Sequence, residues 1–344
     1  MRIDSLNSFE KKVLRGSVLD LIDFLTEEQL VKAYYTKTIK KKDNSDRTIQ
    51  CIDNEHWIYK IQKQMKSNFF DFIPLSNHAY GYVKGKSYFD HLKPHIKNRY
   101  YLKLDIKNFF QSIKNEQLRE VLEYYIDDVK INDDLTIMDF IIKTVTFDGS
   151  LPQGAVTSPV LSNIYFRFID IRISRYCQKF GIEYSRYVDD LLFSSHNLFL
   201  HKKVFINGIN KILKTQGLHL NPEKIRKAKD EISLNGFVVG DNIRLSRKKT
   251  AFLSALIYCY QKSQKKTLDD LLSEIREHFN IGEKKKINII WLHNYLAGYR
   301  SFLLGLLPFD SAGVMSDDIT KTNKKILFKI NEIEKILDLT VIGL

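Results

Sequence analysis

The sequence predicts an α+β protein with a large buried core. Of its 344 residues, 44% are hydrophobic and 12% aromatic, which is enough apolar surface to exclude a wholly disordered chain. Spacings typical of strands and of helices both occur, but they do not alternate as in a βαβ sheet. The sequence also contains no glycine-rich dinucleotide-binding motif and no P-loop. These observations favour α+β over a doubly wound α/β sheet.

The predicted elements follow one another in a mixed order. Apolar periodicity, β-branched content and turn residues separate them. The segments with predicted regular structure are helices in residues 9–35, a strand at 47–52, a helix near 54–70, a strand at 100–106, a hairpin in 182–195 and helices from about 250. Between the first two lies a basic polar loop, residues 37–46.

Positive charge is concentrated late in the chain. The net charge is +13, and residues 201–344 contribute +10 of it, from 25 basic and 15 acidic side chains. Such a one-sided field favours a polyanionic partner, either a nucleic acid or an acidic membrane surface. The basic clusters are Arg247-Lys248-Lys249, Lys262 with Lys265 and Lys266, and Lys284-Lys285-Lys286.

The remaining composition argues against secreted and membrane-spanning classes. No apolar run approaches the 18 residues of a membrane span, and the first residues lack the basic-then-apolar order of a signal peptide. Cys51, Cys177 and Cys259 are widely spaced and form no C-x-x-C pair, so neither a disulfide framework nor a structural zinc site is predicted. We expect a reduced, cytoplasmic protein.

Three acidic residues stand in apolar strand contexts. Asp105 ends the predicted strand at residues 100–106, and Asp189 and Asp190 lie between two apolar arms. Aspartate is a poor strand former and adjacent carboxylates repel each other. One interpretation is that the Asp-Asp pair only forms a hairpin turn, where Asp is common. The other is a site for two Mg²⁺ ions, which prefer oxygen ligands and support in-line phosphoryl transfer.

Six segments resemble motifs of reverse transcriptases, in that family's order. Tyr187-Val188-Asp189-Asp190 resembles the Y-x-D-D box, residues 151–163 resemble the P-Q-G-x-x-x-S-P segment, and residues 105–110 resemble the D-I-x-x-F-F segment. The other three segments are residues 47–49, similar to the first fingers strand, residues 81–87, similar to a fingers motif of group II intron and retron enzymes, and residues 217–224, similar to the segment with a late palm lysine.

This resemblance implies a right-hand polymerase with fingers, palm and thumb. The palm sheet would carry the three aspartates and the thumb would be helical. The implied lobes are residues 1–99 for the N-terminal helices and fingers, 100–247 for the palm with a fingers insertion at about 112–165, and 248–344 for the thumb and C-terminal tail. Too few residues would follow the thumb for an RNase H or maturase part.

The resemblance also assigns catalytic and metal-binding roles. Asp105, Asp189 and Asp190 would bind two Mg²⁺ ions, for which Mn²⁺ could substitute, and the backbone carbonyl of Ile106 would be a further ligand. Lys224 would donate a proton to the leaving pyrophosphate. A merely solvated charge is the alternative for Lys224.

Five residues would contact the incoming nucleotide, and Ile106, named above as a metal ligand, is one of them. Phe110 matches the aromatic gate that excludes ribonucleotides by a clash with the 2′-hydroxyl, although a core phenylalanine is the alternative. Gln153 would contact the sugar and triphosphate, and Gly154 would allow close backbone approach. Arg47 would pair with the triphosphate, with a solvated charge again as the alternative.

The resemblance implies RNA and DNA as partners. Basic side chains would touch phosphates without reading sequence, although many lysines are simply solvated. The nucleic-acid-binding residues implied are Lys84, Lys86, Asn235, Gly236, Arg247, Lys248 and Lys249. We expect an RNA template, a DNA product or template–primer duplex, a cognate noncoding RNA, and either a partner protein or a homo-oligomer, but no membrane.

Two retron signatures are only partly present. Residues 90–95 keep only the final His of N-A-x-x-H, and residues 234–236 keep only the Gly of V-T-G. This favours a free-standing, defence-associated bacterial reverse transcriptase that copies a noncoding RNA. The alternatives are a retron enzyme that makes msDNA, a template-independent or protein-primed DNA polymerase, and an RNA-binding scaffold without synthesis.

Overall fold

Two compact units make up the protein. Contacts divide the chain into Met1–Ile232 and Ser233–Leu344. The computed structural model describes residues 2–40, 46–262, 268–278, 288–307 and 321–342. The lobe boundaries implied by the motifs at residues 99 and 247 stay predictions.

Nine strands form three sheets in these residues. Their bounds are β1 Tyr34–Lys40, β2 Asp46–Ile52, β3 Tyr100–Asp105, β4 Glu183–Tyr187, β5 Asp190–Ser195, β6 Arg226–Lys229, β7 Ile232–Leu234, β8 Phe237–Val239 and β9 Ile243–Leu245. The four-stranded sheet has the order β4-β5-β3-β6 and is antiparallel throughout. Strands β1 and β2 form a separate ribbon, and β7-β8-β9 form a third sheet.

Helices surround these sheets, so the α+β class is confirmed. The α-helices are α1 Leu6–Ser8, α2 Leu19–Ile22, α3 Glu27–Ala33, α4 Trp57–Asn68, α5 Tyr88–Leu92, α6 Asn115–Leu122, α7 Ile137–Val145, α8 Ser158–Gln178, α9 Lys203–Lys214, α10 Arg247–Lys262, α11 Leu268–His278, α12 Ile289–Leu304 and α13 Lys321–Ile342. A π-helix spans Phe9–Leu14, and short 3₁₀ helices span Phe70–Phe72, Lys93–His95, Leu198–His201 and Pro222–Lys224.

The predicted hairpin in residues 182–195 is confirmed, but the predicted loop at residues 37–46 is wrong at its start. Strand β1 continues through Lys40 and pairs with β2, with Lys37 opposite Ile49. The alternating Thr36 and Thr38 favour a strand, and the lysines of this ribbon remain exposed. The predicted helical region correspondingly ends at Ala33 rather than at residue 35.

Strand β3 separates the core of the first unit from its polar face. Leu102 and Leu104 are fully buried in the main hydrophobic cluster, which also includes Leu191 of β5 and Ile164 of α8. Because side chains alternate along a strand, Lys103 projects to the opposite face from these leucines. The same alternation places the side chain of Asp105 with that of Lys103.

Helices provide the core of the second unit, as the pattern from residue 250 predicts. Leu253 and Leu256 of α10, Leu292 and Leu296 of α12, and Ile333 of α13 belong to one buried cluster. Across all the residues described in either unit, no helix combines the length and apolar character needed to cross a bilayer.

Candidate catalytic site

The three aspartates meet at one end of the four-stranded sheet. Asp105 of β3 lies directly opposite Asp190 of β5 in the antiparallel register, a placement that sets the two Cα atoms about 4.5–5.5 Å apart. The N–H of Ile106 donates to the carbonyl of Asp189 at 3.1 Å. Residues from two distant segments of the sequence therefore form one acidic group.

A strained turn carries Asp189. Tyr187 and Asp190 are the last paired residues of β4 and β5, so Val188 and Asp189 form a two-residue connection. Val188 has a φ of +61°, in the left-handed region that β-branched residues rarely adopt. Strain of this kind persists where surrounding contacts enforce it, and it is concentrated at functional sites.

The carboxylates of this acidic group repel one another. Burial, followed by the charges of Asp190 and Asp105, raises the pKa of Asp189 to about 6. Burial also raises the pKa of Asp190, although the neighbouring Lys103 opposes this shift. Since carboxylates that raise one another's pKa are stabilised by cations, the ionised site requires positive charge nearby.

Two lysines supply such charge. The Lys224 ammonium donates to both carboxylate oxygens of Asp105 at 3.0 Å each. Lys103 lies 2.7 Å from an oxygen of Asp190. The structure therefore places Lys224 at the acidic group rather than in solvent alone. The sequence analysis did not identify Lys103, although residues two positions apart on a strand lie on the same face, which would have predicted that Lys103 lies beside Asp105.

The donor chemistry of this group suits divalent cations. Carboxylates are hard oxygen ligands. The Ile106–Leu220 bridge is flanked by hydrogen bonds that use the carbonyls of Asp105 and His219. These hydrogen bonds do not use the carbonyl of Ile106. Among the described residues, no three His, Cys, Asp or Glu side chains are grouped so that they could hold a metal ion as they stand. Since lysines contact Asp105 and Asp190, metal binding here would require these carboxylates to exchange ammonium groups for the ion.

Phe109 and Phe110 follow Asp105 closely in the sequence and pack in an aromatic group. Phe110 is 7% exposed and Phe109 3% exposed, with ring centroids 5.4 Å apart. Both belong to the main core cluster. The exposed ring of Tyr82 lies 6.5 Å from Phe110. Phe110 thus lies at the margin of the core, between buried Phe109 and exposed Tyr82.

Gly154 allows two chain segments to approach closely. Its N–H donates to the carbonyl of Gln50 in β2 at 2.8 Å, and an added Cβ would lie 2.6 Å from that oxygen and 2.7 Å from the Cα of Cys51. Only glycine fits such a contact without displacement of the backbone. The adjacent Gln153 donates to the side-chain oxygen of Gln111 at 3.2 Å.

Lys86 makes intramolecular contacts. Its ammonium donates to the carbonyls of Asn77 and Ala79 at 3.1 and 2.9 Å and lies 4.4 Å from the ring centre of Tyr80. Burial lowers its pKa. Lys84, in the same motif, is exposed. Of the two lysines, Lys84 is the better placed to reach a phosphate.

In the second unit, Asn235 and Gly236 form the turn of a hairpin. Their φ values are +45° and +87°, as a two-residue type I′ turn requires. The side chain of Lys249 packs beside Gly236, and its ammonium lies 4.9 and 4.3 Å from the ring centres of Phe237 and Phe302. The neighbouring Arg247 and Lys248 are exposed at the start of α10.

Some predicted residues lie outside the described structure. The backbone of Arg47 belongs to β2 and pairs with Ile39, but its side chain is not among those described. Lys265, Lys266 and residues 284–286 also lie outside the described residues.

These motifs lie within a segment that matches a family of nucleic acid polymerases. The reverse transcriptase (RNA-dependent DNA polymerase) family matches residues 39–239, which is more than half of the chain. The chain belongs to the reverse transcriptase family. This confirms the resemblance drawn from the motifs and the α+β polymerase fold that it implies, and membership implies dependence on divalent metal ions in general.

Retron enzymes are among its curated relatives. The chain is 26% identical to the retron Mx65 reverse transcriptase of Myxococcus xanthus over 265 residues, covering 72% of this chain and 61% of that protein. It is 31% identical to the retron Ec73 reverse transcriptase of Escherichia coli over 188 residues, covering 52% and 58%. The chain thus spans about six tenths of the length of these two relatives.

Solved structures with a similar arrangement are more distant. A telomerase from Candida albicans, solved with a fragment of telomeric RNA, matches with a TM-score of 0.47 and 13% identity, covering 90% of this chain and 66% of that chain. A foamy viral protease–reverse transcriptase with double-stranded DNA matches with a TM-score of 0.37 and 15% identity, covering 98% and 50%.

Proposed function

We propose that this chain is an RNA-directed DNA polymerase that extends a primer by two-metal phosphoryl transfer. The observation that carries this proposal is the meeting of Asp105, Asp189 and Asp190 at one sheet end, within the segment that matches the reverse transcriptase family. All three acids required by the family's motifs are present, which disfavours a scaffold without synthesis.

The aspartates would hold two Mg²⁺ ions, with Mn²⁺ as a substitute and the Ile106 carbonyl as a further ligand. Bound there, the metals would supply activation of the primer 3′-hydroxyl and charge stabilisation at the triphosphate. Lys224, released from Asp105, would have its ammonium free to donate a proton to the leaving pyrophosphate. The Lys224–Asp105 contact supports this role because it holds the ammonium beside a proposed metal ligand.

The nucleotide site would lie beside these acids. The ring of Phe110 would exclude a 2′-hydroxyl by steric clash, and its place next to exposed Tyr82 supports this role. Gln153 would contact the sugar and triphosphate. Gly154 would keep that loop against β2, the strand whose Arg47 would pair with the triphosphate.

The nucleic acid partners would be an RNA template and the DNA made on it. Exposed Arg247 and Lys248 suit phosphate contacts, as does exposed Lys84, whereas Lys86, Asn235, Gly236 and Lys249 would act mainly by shaping their surroundings. The curated relatives are named retron reverse transcriptases, which supports a retron-type enzyme. The template would be a noncoding RNA, copied in antiphage defence or, as the alternative, by a retron enzyme that makes msDNA. A partner protein or a homo-oligomer remains part of this proposal.

Primer extension tests the function. With an RNA template, a DNA primer, four dNTPs and Mg²⁺, the wild-type protein should make DNA to the end of the template, and Asp189→Asn should make none. Fluorescence anisotropy of the labelled duplex without metal should show equal binding by both proteins, which would separate loss of chemistry from loss of the partner.

Two outcomes would favour the alternatives. DNA synthesis that persists after all RNA is removed would favour a template-independent or protein-primed polymerase. Tight RNA binding by the wild-type protein, with no dNTP incorporation under any primer and metal condition, would favour the scaffold and contradict the proposal.

A further inference from the structure

A buried ion pair lies beneath the turn that carries Asp189. Arg186 of β4 donates from Nε to Oδ1 of Asp170 in α8 at 3.0 Å and from Nη2 to Oδ2 at 2.9 Å. Both side chains are fully buried. Arg186 is two residues before Val188, so the pair joins the long helix α8 to the end of the catalytic hairpin.

The neighbours of this pair complete its hydrogen bonds. The hydroxyl of Tyr184 donates to Oδ1 of Asp170 at 2.7 Å, and the Arg186 guanidinium lies 4.3 Å from the ring centre of Phe166. A buried ion pair is costly to desolvate, so even one with complete hydrogen bonds is often no more stabilising than apolar residues of similar volume. Its presence directly under a catalytic turn therefore calls for a reason beyond stability.

The third nitrogen of the guanidinium provides that reason. Nη1 of Arg186 donates to the carbonyl of Val188 at 3.2 Å. Val188 is the residue in the left-handed conformation, and the next peptide unit begins Asp189. A charge-assisted hydrogen bond is stronger than a neutral one, so this contact stabilises a backbone conformation that valine otherwise disfavours.

Helix α8 also supports the opposite side of the turn. Nδ2 of Asn163 donates to the carbonyl of Gly81 at 2.9 Å. A Cβ on Gly81 would lie 2.6 Å from Cγ2 of Val188 and 2.8 Å from its backbone nitrogen, so the backbone at Gly81 packs directly on the turn. The turn is therefore enclosed between two contacts that both originate on α8.

We propose that Arg186, oriented by Asp170, is a positioning residue that holds Val188 in its left-handed conformation and thereby sets Asp189 for metal binding. The proposal rests on the function proposed above, since it concerns the same metal site. Because its side chain is fully buried, Arg186 would act through Val188 rather than by contact with substrate or metal. A lysine in its place could keep the charge beside Asp170 but could not also reach the Val188 carbonyl with a second, rigidly oriented nitrogen.

The test uses Mn²⁺ binding, followed by electron paramagnetic resonance, beside single-nucleotide addition. Arg186→Lys should weaken Mn²⁺ binding and lower kcat by about tenfold or more, as expected when a group that orients a metal ligand is lost. The dissociation constant for template–primer duplex should stay unchanged. Tyr184→Phe, which only loosens Asp170, should cause a smaller change of the same kind and provides a variant that folds if Arg186→Lys does not.

A rescue and a matched control separate positioning from general destabilisation. Glycine adopts the left-handed conformation freely, so Val188→Gly should restore much of the Mn²⁺ affinity lost in Arg186→Lys. The control is His95→Asn, which disturbs a buried polar group whose hydrogen bonds go to Ser194 and Ser185 rather than to Val188 or Asp189. It should lower the unfolding temperature without weakening Mn²⁺ binding in the folded protein.

The results that would overturn the proposal are equally specific. Unchanged Mn²⁺ affinity in both Arg186→Lys and Tyr184→Phe would contradict it, as would losses that follow the unfolding temperature in the same way as in His95→Asn. A different result would contradict only the proposed polymerase function. In that case Arg186→Lys would weaken Mn²⁺ binding as expected, but the wild-type protein would synthesise no DNA.

Discussion

Two polar clusters lie on the four-stranded sheet and differ in how completely their groups are paired. The histidine–serine cluster consists of His91, His95, Ser185 and Ser194. The two ring nitrogens of His95 lie 2.7 Å from the hydroxyls of Ser194 and Ser185, and Ser185 lies 2.8 Å from a ring nitrogen of His91. Burial keeps both histidines neutral, since it lowers the pKa of His91 to about 3 and that of His95 well below its usual value.

The aspartate cluster, Asp105, Asp189 and Asp190, is the opposite case. Its carboxylates are partly or wholly removed from water, they repel one another, and two of them are held by lysines. A fully paired neutral network rigidifies a core, whereas an incompletely neutralised group of like charges costs stability. This difference supports a structural role for the histidine–serine cluster and the functional role that we propose for the aspartate cluster.

Replacement of a metal ligand should have the largest effect. Asp105→Asn removes a carboxylate from the proposed metal site, and loss of several kcal/mol of charge stabilisation corresponds to about a thousandfold slower nucleotide addition. Single-turnover extension of a labelled primer measures this rate. Asp133→Asn, at an exposed acid, is the matched control and should extend at the wild-type rate. A rate for Asp105→Asn within tenfold of wild type would exclude Asp105 as a ligand.

The histidine–serine cluster should show the reverse behaviour. His95→Ala removes the partner of the buried Ser194 hydroxyl and one of the partners of Ser185, and it opens a cavity, so the free energy of unfolding should fall by about 2–4 kcal/mol. Urea denaturation followed by circular dichroism measures this loss. Exposed His196 gives the control, His196→Ala, which should leave stability unchanged. Equal stability of the two variants would remove the structural role assigned to the cluster.

Phe110 tests the surroundings of the aspartate cluster. Phe110→Ala should open the space beside the nucleotide sugar and raise the incorporation of ribonucleotides relative to deoxyribonucleotides by about tenfold or more. Competition between dNTP and rNTP in primer extension measures the ratio. Unchanged selectivity in an active, folded Phe110→Ala protein would assign this ring to the core alone.

The smallest effect should be a gain of stability at the aspartate cluster. The pKa of Asp189 is raised to about 6 in the folded protein, whereas it is near 4 in the unfolded chain. Ionisation of this carboxyl therefore destabilises the folded protein increasingly as the pH rises from about 4 through 6. Without metal at pH 7.5, Asp189→Asn should therefore raise the unfolding temperature by roughly 2 °C. The gain should disappear at about pH 4, where the carboxyl is protonated in the folded protein and no longer disfavours folding. Destabilisation at pH 7.5 would show that the folded protein favours the charged carboxylate.

Local pattern singled out the three acids of this site but did not assign their role. Acids that interrupt apolar strands drew attention to Asp105, Asp189 and Asp190, and the resemblance to reverse transcriptase motifs assigned them to one site. The pairing of Asp105 with Asp190 could not be predicted from the residues alone, because register between distant strands depends on the whole core. For the same reason the contacts of Lys103 were not foreseen.

The partners of charged residues were the feature least predictable from the sequence. Lys86 has the composition of a phosphate-binding residue, yet it binds backbone carbonyls within its own loop. Asp170 lies in a largely apolar helix and was not among the predicted site residues, although a buried acid there requires a partner. That partner, Arg186, comes from a strand that the sequence places 16 residues away. Tertiary contacts, which local pattern does not encode, decide which charges are used internally.

Counting bound metal ions tests the central claim most directly. Electron paramagnetic resonance should be used to titrate Mn²⁺ into the complex of protein, RNA template, dideoxy-terminated primer and matching dNTP, for wild type and for Asp189→Asn. The account predicts two tightly bound ions in wild type and the loss of at least one in Asp189→Asn, with the duplex still bound. Equal Mn²⁺ stoichiometry and affinity in the two proteins would contradict a metal site built on the aspartate cluster.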